Sequence, residues 1–230
     1  MERHSLSGYV HYRSVLKPKI SKSAYKEIKA YADINGVSLR NFKDYTGDIT
    51  EIIEIIDKIK MVARDFPNLI NNRYQVVLGL YFEESDEYAG TENHTVTLNG
   101  LYFNDSSETC KAYNEKVATG HFVKGTTYKD IIFHELGHVV CNTYKLNPLK
   151  IAKEVLDCKL DVEVAEYVAD NLSLYSAVTF ESIIERKGTI FDGSEIIAEC
   201  FCAYYSDAAN NEFANQFVTK CLKIVQEVES

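Results

Sequence analysis

The sequence predicts an α+β fold in which a small mixed sheet packs on one helix and the C-terminal half is mainly helical. Two segments rich in β-forming residues lie between residues 74 and 103, and helical patterns flank them on both sides. Hydrophobic residues make up 46% of the 230-residue chain, which is enough for a buried core. The length suits a single domain over residues 1–230, with residues 1–47 as an N-terminal accessory segment.

Two helices are predicted before the sheet. The first spans Ser21–Asn35 and ends at Gly36, a residue type that commonly follows the last turn of a helix. The second, Asp48–Asp65, has a broad apolar face. It ends where Phe66 precedes Pro67, since the residue before a proline disfavours helical backbone.

Two strands are predicted in the middle of the chain. Tyr74–Phe82 is rich in β-branched and aromatic residues, which favours a buried strand. An acidic loop containing Gly90 comes next. Thr95–Phe103 then alternates in polarity, which is typical of a strand with one face on the core and one face in solvent.

The remaining elements are predicted to be helices. After a polar connection, Thr126 or Thr127 is placed to cap a helix that continues to about Asn142. Residues 148–187 have a mainly helical pattern, and residues 192–210 are predicted to form a further helix. The order of helices, strands and helices again indicates an α+β fold.

Charge and composition argue against several classes of partner. The formal net charge is −9, with acidic residues spread along the chain, which disfavours nucleic acid. No stretch of about 18 apolar residues is present to favour a membrane. Residues 1–8 carry no signal-peptide pattern, so we expect a cytoplasmic protein with reduced cysteines. Virion association and export by a specialised route are the other locations considered.

A five-residue run on the predicted central helix carries the chemistry. His134 and His138 are four residues apart, so both imidazoles project from one helix face and can share one Zn²⁺. Glu135 is placed beside that ion, where a carboxylate can take a proton from zinc-activated water and deliver it to a leaving amine. Gly137 leaves room for close packing or for substrate. The run predicts a catalytic zinc site.

The alternative to a zinc site is a chance pattern on an ordinary amphipathic helix. The neighbours of the run are apolar on almost all sides, so two histidines and a glutamate would be costly there without a purpose. This apolar environment favours the catalytic interpretation. The neighbours are Ile131, Ile132, Phe133, Leu136, Val139 and Val140.

A third protein ligand is needed, because catalytic zinc sites usually provide three and keep one position open. No histidine follows His138, and Tyr144 stands where a third histidine six residues further on would be. His94 and His121 precede the run in predicted loops and are predicted to be surface histidines. The third ligand is therefore expected to be a carboxylate.

Two downstream helices offer carboxylates at i and i+4. Glu195 and Glu199 form one pair, in which one residue can bind metal while the other holds a ligand histidine. Glu166 and Asp170 form the other pair. Each pair also has a structural interpretation. Glu195 can form a capping box with Asp192. Glu166 and Asp170 can belong to an exposed helix face. The residues alone leave the choice open.

The runs His134–His138 and Ser194–Phe201 together resemble a known family. They are similar to the glutamate-zincin domains of phage head-associated metallopeptidases and to the catalytic domain of anthrax lethal factor, over about residues 70–210. The resemblance implies a zincin-like fold around an active-site helix. It also implies that Glu195 is the third zinc ligand and that Glu199 supports a ligand histidine.

The resemblance also points to a tyrosine and to a substrate-binding strand. Leu174–Ala177 resembles a family segment whose tyrosine stabilises the oxyanion, which implies this role for Tyr175 and makes Phe180–Gly193 an insertion. With 16 tyrosines in the chain, a core or surface position is the alternative for Tyr175. Zincins pair an extended peptide with an edge strand, for which Thr95–Phe103 is the predicted segment.

The leading prediction is a zinc-dependent metalloendopeptidase that acts on a peptide or protein, with Glu135 as general base. The alternative is a non-catalytic structural or interaction component of a phage or mobile element with the same fold. A metalloprotease toxin or effector is a third interpretation. Retention of Glu135 favours the enzyme, since a purely structural zinc site is closed by a fourth protein ligand.

Overall fold

The computed structural model confirms a mixed α and β architecture that is mostly helical and includes a four-stranded sheet. It describes residues 19–71, 75–85, 87–177, 193–206 and 210–229. Within these ranges, no helix combines the length and the apolar character required of a membrane-spanning segment. The C-terminal half of the described chain contains helices and no strand, as the sequence predicts.

The N-terminal part contains both predicted helices and one strand that the sequence does not predict. Helix α1 (Lys22–Ile34) is capped by the side chain of Ser21, and helix α2 (Ile49–Asp65) by that of Asp48. Between them lies strand β1 (Val37–Arg40). Residues 19–47 share one hydrophobic core with the rest of the described chain. Their buried apolar members are Ile28, Ala32, Val37, Phe42 and Tyr45.

The sheet has the order β1-β2-β4-β3, in which β1, β2 and β4 are parallel and β3 is antiparallel. Strand β2 (Val76–Tyr81) lies within the first predicted strand and is shorter than expected. Strand β3 (Ala89–Glu92) lies where the sequence predicts only an acidic loop. Strand β4 (Thr95–Asn99) begins as predicted but lies between β2 and β3. The prediction that this segment is an edge strand is therefore wrong, and the edge strands of the described sheet are β1 and β3.

The second predicted strand is also shorter than expected, because helix α3 (Gly100–Phe103) replaces its last four residues. The Asn99 side chain accepts a hydrogen bond from the Leu101 N–H and so caps α3. Its amide nitrogen donates to two carbonyl oxygens of the preceding loop, at Glu83 and Glu87. These bonds turn the chain away from the sheet.

Two helices lead into the site. Helix α4 (Ser106–Ala118) occupies the segment that the sequence predicts as a polar connection. Thr127 and Asp130 form a capping box around a short 3-10 turn, and helix α5 (Ile131–Tyr144) follows directly. Thr127 is one of the two predicted caps, and α5 extends two residues beyond the predicted end.

The C-terminal helices surround α5. They are α6 (Pro148–Leu156), α7 (Asp161–Asn171), α8 (Ser194–Tyr205) and α9 (Glu212–Glu229). Residues 174–177 are also helical. The predicted insertion Phe180–Gly193 lies outside the described residues except for Gly193, which precedes α8 with a φ of 72°.

Helix α5 is the centre of the packing. It contacts α8, α2 and strand β3, and its apolar residues are buried almost all round. At Gly137, an added Cβ would lie 2.8 Å from the Cα of Ala198 and 3.1 Å from the carbonyl oxygen of Ile197, both on α8. Glycine is required at this position because the backbones of the two helices approach closely.

We expect Gly137→Ala to lower the free energy of unfolding by about 1–3 kcal/mol, because the added methyl group overpacks the contact between α5 and α8. Denaturant unfolding of the zinc-free protein measures the change. Gly90→Ala is the matched control, since a Cβ there meets no atom closer than 3.9 Å among the described residues. Equal stability of the two variants would contradict the role of Gly137.

Candidate metal centre

The first contact of the site joins α5 to α8. His134 is 8% exposed, and its Nδ1 lies 2.8 Å from Oε1 of Glu199, which is 2% exposed. This bond orients the imidazole, so that Nε2 lies 3.3 Å from Oε2 of Glu195. A carboxylate that holds one ring nitrogen fixes the tautomer in which the other nitrogen can bind a metal.

His138, one turn further along α5, lies on the same side. Its Nε2 is 3.8 Å from the same Oε2 atom of Glu195. The potential ligand atoms of His134, His138 and Glu195 all lie within 4.8 Å of one another. Donors of a tetrahedral zinc site, each about 2.1 Å from the ion, are separated by roughly 3.4 Å. The two distances to Glu195 are close to this spacing.

One carboxylate oxygen of the cluster lacks a hydrogen bond. Oε2 of Glu195 is buried and accepts no hydrogen bond from the described residues, although the Nε2 atoms of His134 and His138 lie 3.3 and 3.8 Å from it. A buried carboxylate oxygen without a partner is costly unless a cation compensates for it. Two imidazole nitrogens and one carboxylate oxygen are a donor set that suits Zn²⁺ and leaves a fourth position open. The described residues therefore fit the predicted ion.

The electrostatics of the cluster are dominated by the carboxylates. Burial lowers the pKa of His134, but its contacts with Glu195 and Glu199 outweigh burial and raise that pKa well above its ordinary value. Burial raises the pKa of Glu195, but His134 and His138 outweigh it and lower that pKa. The carboxylates thus favour a positive charge at the imidazoles, which a metal cation also provides.

The other predicted ligands lie elsewhere. Glu166 and Asp170 are exposed on α7 and do not belong to the cluster. Asp192 lies outside the described residues, and no side chain caps α8 at Gly193. None of the six cysteines, all within the described ranges, forms a disulfide or joins the cluster. Cys200, Cys202 and Cys221 are buried and the other three are half-buried.

Glu135 contacts strand β3. It is 5% exposed, and its Oε2 accepts a hydrogen bond of 2.5 Å from the Thr91 hydroxyl. Burial raises the pKa of Glu135, while the nearby His134 and the Thr91 hydroxyl partly offset that rise. A buried carboxylate with a raised pKa is suited to accept and return a proton.

Tyr175 lies beside the cluster. Its ring centroid is 5.6 Å from that of His134, and its backbone N–H donates to the His121 carbonyl oxygen at 3.0 Å. Burial, followed by the nearby glutamates, raises the pKa of Tyr175, so the phenol keeps its proton. The ring of His121 is 5.4 Å from that of Tyr175. His121 is half-buried and lines the cleft.

Two residues near the motif have other contacts. His94 is half-buried in the turn between β3 and β4, with Nε2 3.2 Å from the Thr143 hydroxyl. Tyr144 accepts a hydrogen bond of 2.9 Å from the Asn68 N–H, which ties the end of α5 to the segment after α2. Neither residue belongs to the grouped ligands in the described chain.

The cluster opens into a cleft of about 1080 Å³, as bounded by the described residues. Strand β3 borders the cleft with Ala89, Gly90 and Thr91, and Tyr175 and His121 also contribute to its wall. Strand β3 pairs with β4 on one side and with no other described strand. Within the described ranges, β3 is thus one of the two outer strands of the sheet.

Comparison of the whole chain with protein-family models, with curated proteins and with solved structures gives no match. What can be said of function therefore depends on the residues of the cleft. Among these residues are three that could hold a cation (His134, His138 and Glu195), the buried carboxylate of Glu135 and a phenol, that of Tyr175, near the His134 ring.

We expect Glu195→Ala to lower zinc affinity more than Glu199→Ala, because the first removes a ligand and the second removes only a partner of a ligand. Loss of such a partner typically weakens metal binding by about 10–100-fold. Competition with a chromophoric chelator measures both affinities, and Glu166→Ala on α7 is the control that should bind like the parent. A larger loss for Glu199→Ala would reassign the ligand.

Proposed function

We propose that this protein is a zinc-dependent metalloendopeptidase of the glutamate-zincin type. The observation that carries the proposal is the grouping of His134, His138 and Glu195 within 4.8 Å of one another. Glu135 is buried beside this group, on the same helix as both histidines. A mixed sheet whose antiparallel edge strand lies next to that helix supports the zincin-like fold that forms part of the proposal.

In this proposal, His134, His138 and Glu195 hold the ion and Glu199 orients His134. When bound, Zn²⁺ supplies Lewis acidity, which makes water a stronger acid and polarises a peptide carbonyl. Glu135 accepts the proton that the attacking water loses and later delivers it to the leaving nitrogen. The burial that raises the pKa of Glu135 makes its carboxylate a stronger base, which favours the first of these transfers.

Tyr175 is placed to stabilise the negative charge that develops on the carbonyl oxygen. Its phenol is protonated and close to His134, so its hydroxyl can donate a hydrogen bond to an oxyanion at the site. We expect Tyr175→Phe to lower kcat by about 10–1000-fold, as loss of a single oxyanion donor does in other hydrolases. Its zinc content should equal that of the parent. An unchanged kcat would remove Tyr175 from the mechanism.

The substrate is proposed to be an extended segment of a peptide or protein. Strand β3 lines the cleft and pairs on one side with no other described strand, and an extended peptide can pair with the edge of a sheet through main-chain hydrogen bonds. Main-chain pairing binds the peptide irrespective of its sequence, while the side chains that line the cleft provide selectivity. This arrangement favours hydrolysis within a chain.

We expect Glu135→Gln to retain zinc and to abolish hydrolysis, because the amide keeps the shape of the side chain but accepts no proton. The measurement is an unbiased peptide-library cleavage profile of both proteins, with zinc content determined in parallel. Glu166→Gln, on the exposed face of α7, is the matched control. Absence of cleavage by parent and variant alike would favour the non-catalytic alternative, a structural or interaction component with the same metal site.

A further inference from the structure

Strand β3 carries one side chain that touches the proposed base directly. The Thr91 hydroxyl donates to Oε2 of Glu135 at 2.5 Å and also lies 3.2 Å from the Glu135 carbonyl oxygen. Thr91 pairs with Val96 of β4, so its position is fixed by the ladder of the sheet. Its backbone forms part of the strand that borders the cleft.

We infer that Thr91 is a positioning residue, whose hydroxyl holds the Glu135 carboxylate in the orientation that catalysis requires. A glutamate side chain has three rotatable bonds, and its rotamer freedom must be removed before it can act as a base. The bond to Thr91 fixes Oε2 and leaves Oε1 to exchange the proton. This inference rests on the proposed function of Glu135.

The structural setting makes this bond strong. Glu135 is 5% exposed, so few water molecules can replace the hydroxyl. Hydrogen bonds to an ionised acceptor are shorter and stronger than neutral ones, and the 2.5 Å distance fits that class. Loss of the donor would leave a buried carboxylate oxygen without compensation.

Thr91 lies on the strand that lines the cleft, so the residue that contacts Glu135 is also close to the proposed peptide-binding edge. Ala89, Gly90 and Thr91 line the cleft along the edge that the proposed peptide would pair with. The strand that binds the peptide backbone is then the strand that holds the base. The distance between the scissile bond and Glu135 is set by this strand and does not depend on a mobile side chain.

Steady-state kinetics of three variants test the inference. We expect Thr91→Val to lower kcat by about 10–100-fold with KM and zinc content near those of the parent, since a hydrogen bond to a charged group is lost. Thr91→Ser, which retains the hydroxyl, should stay within about threefold of the parent. Thr97→Val is the matched control, because the Thr97 hydroxyl donates to the Gly90 carbonyl oxygen and not to Glu135.

A second measurement does not depend on hydrolysis. In zinc-free protein, Thr91→Val should lower the Tm by about 3–8 °C in the parent and by much less in a Glu135→Leu background, where the carboxylate is absent. Equal Tm shifts in the two backgrounds would overturn the inference, as would a Thr91→Ser enzyme that is as slow as Thr91→Val. A parent without peptidase activity but with this Tm coupling would refute only the proposed function.

Discussion

The close approach of α5 and α8 at Gly137 is the contact on which the candidate metal centre depends. Helix α5 carries both histidines and α8 carries both glutamates, so the spacing between the helices sets the distances from the histidine nitrogens to the glutamate oxygens. Only a residue without a side chain allows the Gly137 backbone to lie against Ala198. A shift of about 1 Å would separate donors whose spacing must match a single ion.

The packing of α5 against α8 also brings several ionisable side chains together in a buried region. Glu195, Glu199 and Glu135 surround His134, and burial of such groups is unfavourable unless each is paired. His134 contacts both Glu199 and Glu195, and Thr91 pairs with Glu135. One oxygen of Glu195 and one of Glu199 accept no hydrogen bond from the described residues. Buried groups arranged in this way contribute little to the free energy of folding. Their unfavourable burial is explained if the site binds a metal and catalyses a reaction.

Much of the site could be predicted from sequence because helical spacing fixes which residues share a face. The i,i+4 spacing of His134 and His138 and that of Glu195 and Glu199 hold in the structure, and the two pairs do meet. Their meeting depends on tertiary packing, which the sequence alone does not reveal. Ser21 and Asp48, the first residues of the two predicted N-terminal helices, cap those helices, and Thr127, one of the two predicted caps, caps the turn that leads into α5. Local sequence patterns thus predicted the helices and the i,i+4 spacing within the histidine pair and within the glutamate pair.

The elements that sequence reasoning missed are those defined by long-range contacts. Strand β3 consists of small and polar residues without apolar alternation, so only its pairing with β4 reveals it. Among the described residues of helix α4, only Thr109 and Tyr113 are buried. The helix therefore has no clear apolar face in its sequence. His121 and Thr91 reach the site from loops and strands far from the motif in sequence, where no spacing rule applies.

X-ray absorption spectroscopy of the zinc-loaded protein at the zinc edge tests the central claim most directly. The structure predicts one zinc per chain, with nitrogen and oxygen ligands at about 2.0–2.1 Å, two of them imidazoles, and no sulfur. A decrease from two imidazole ligands to one in the spectrum of a His134→Ala protein would assign the ion to this cluster. A shell of sulfur at about 2.3 Å would contradict the claim, because the ion would then be held by the cysteines of the chain.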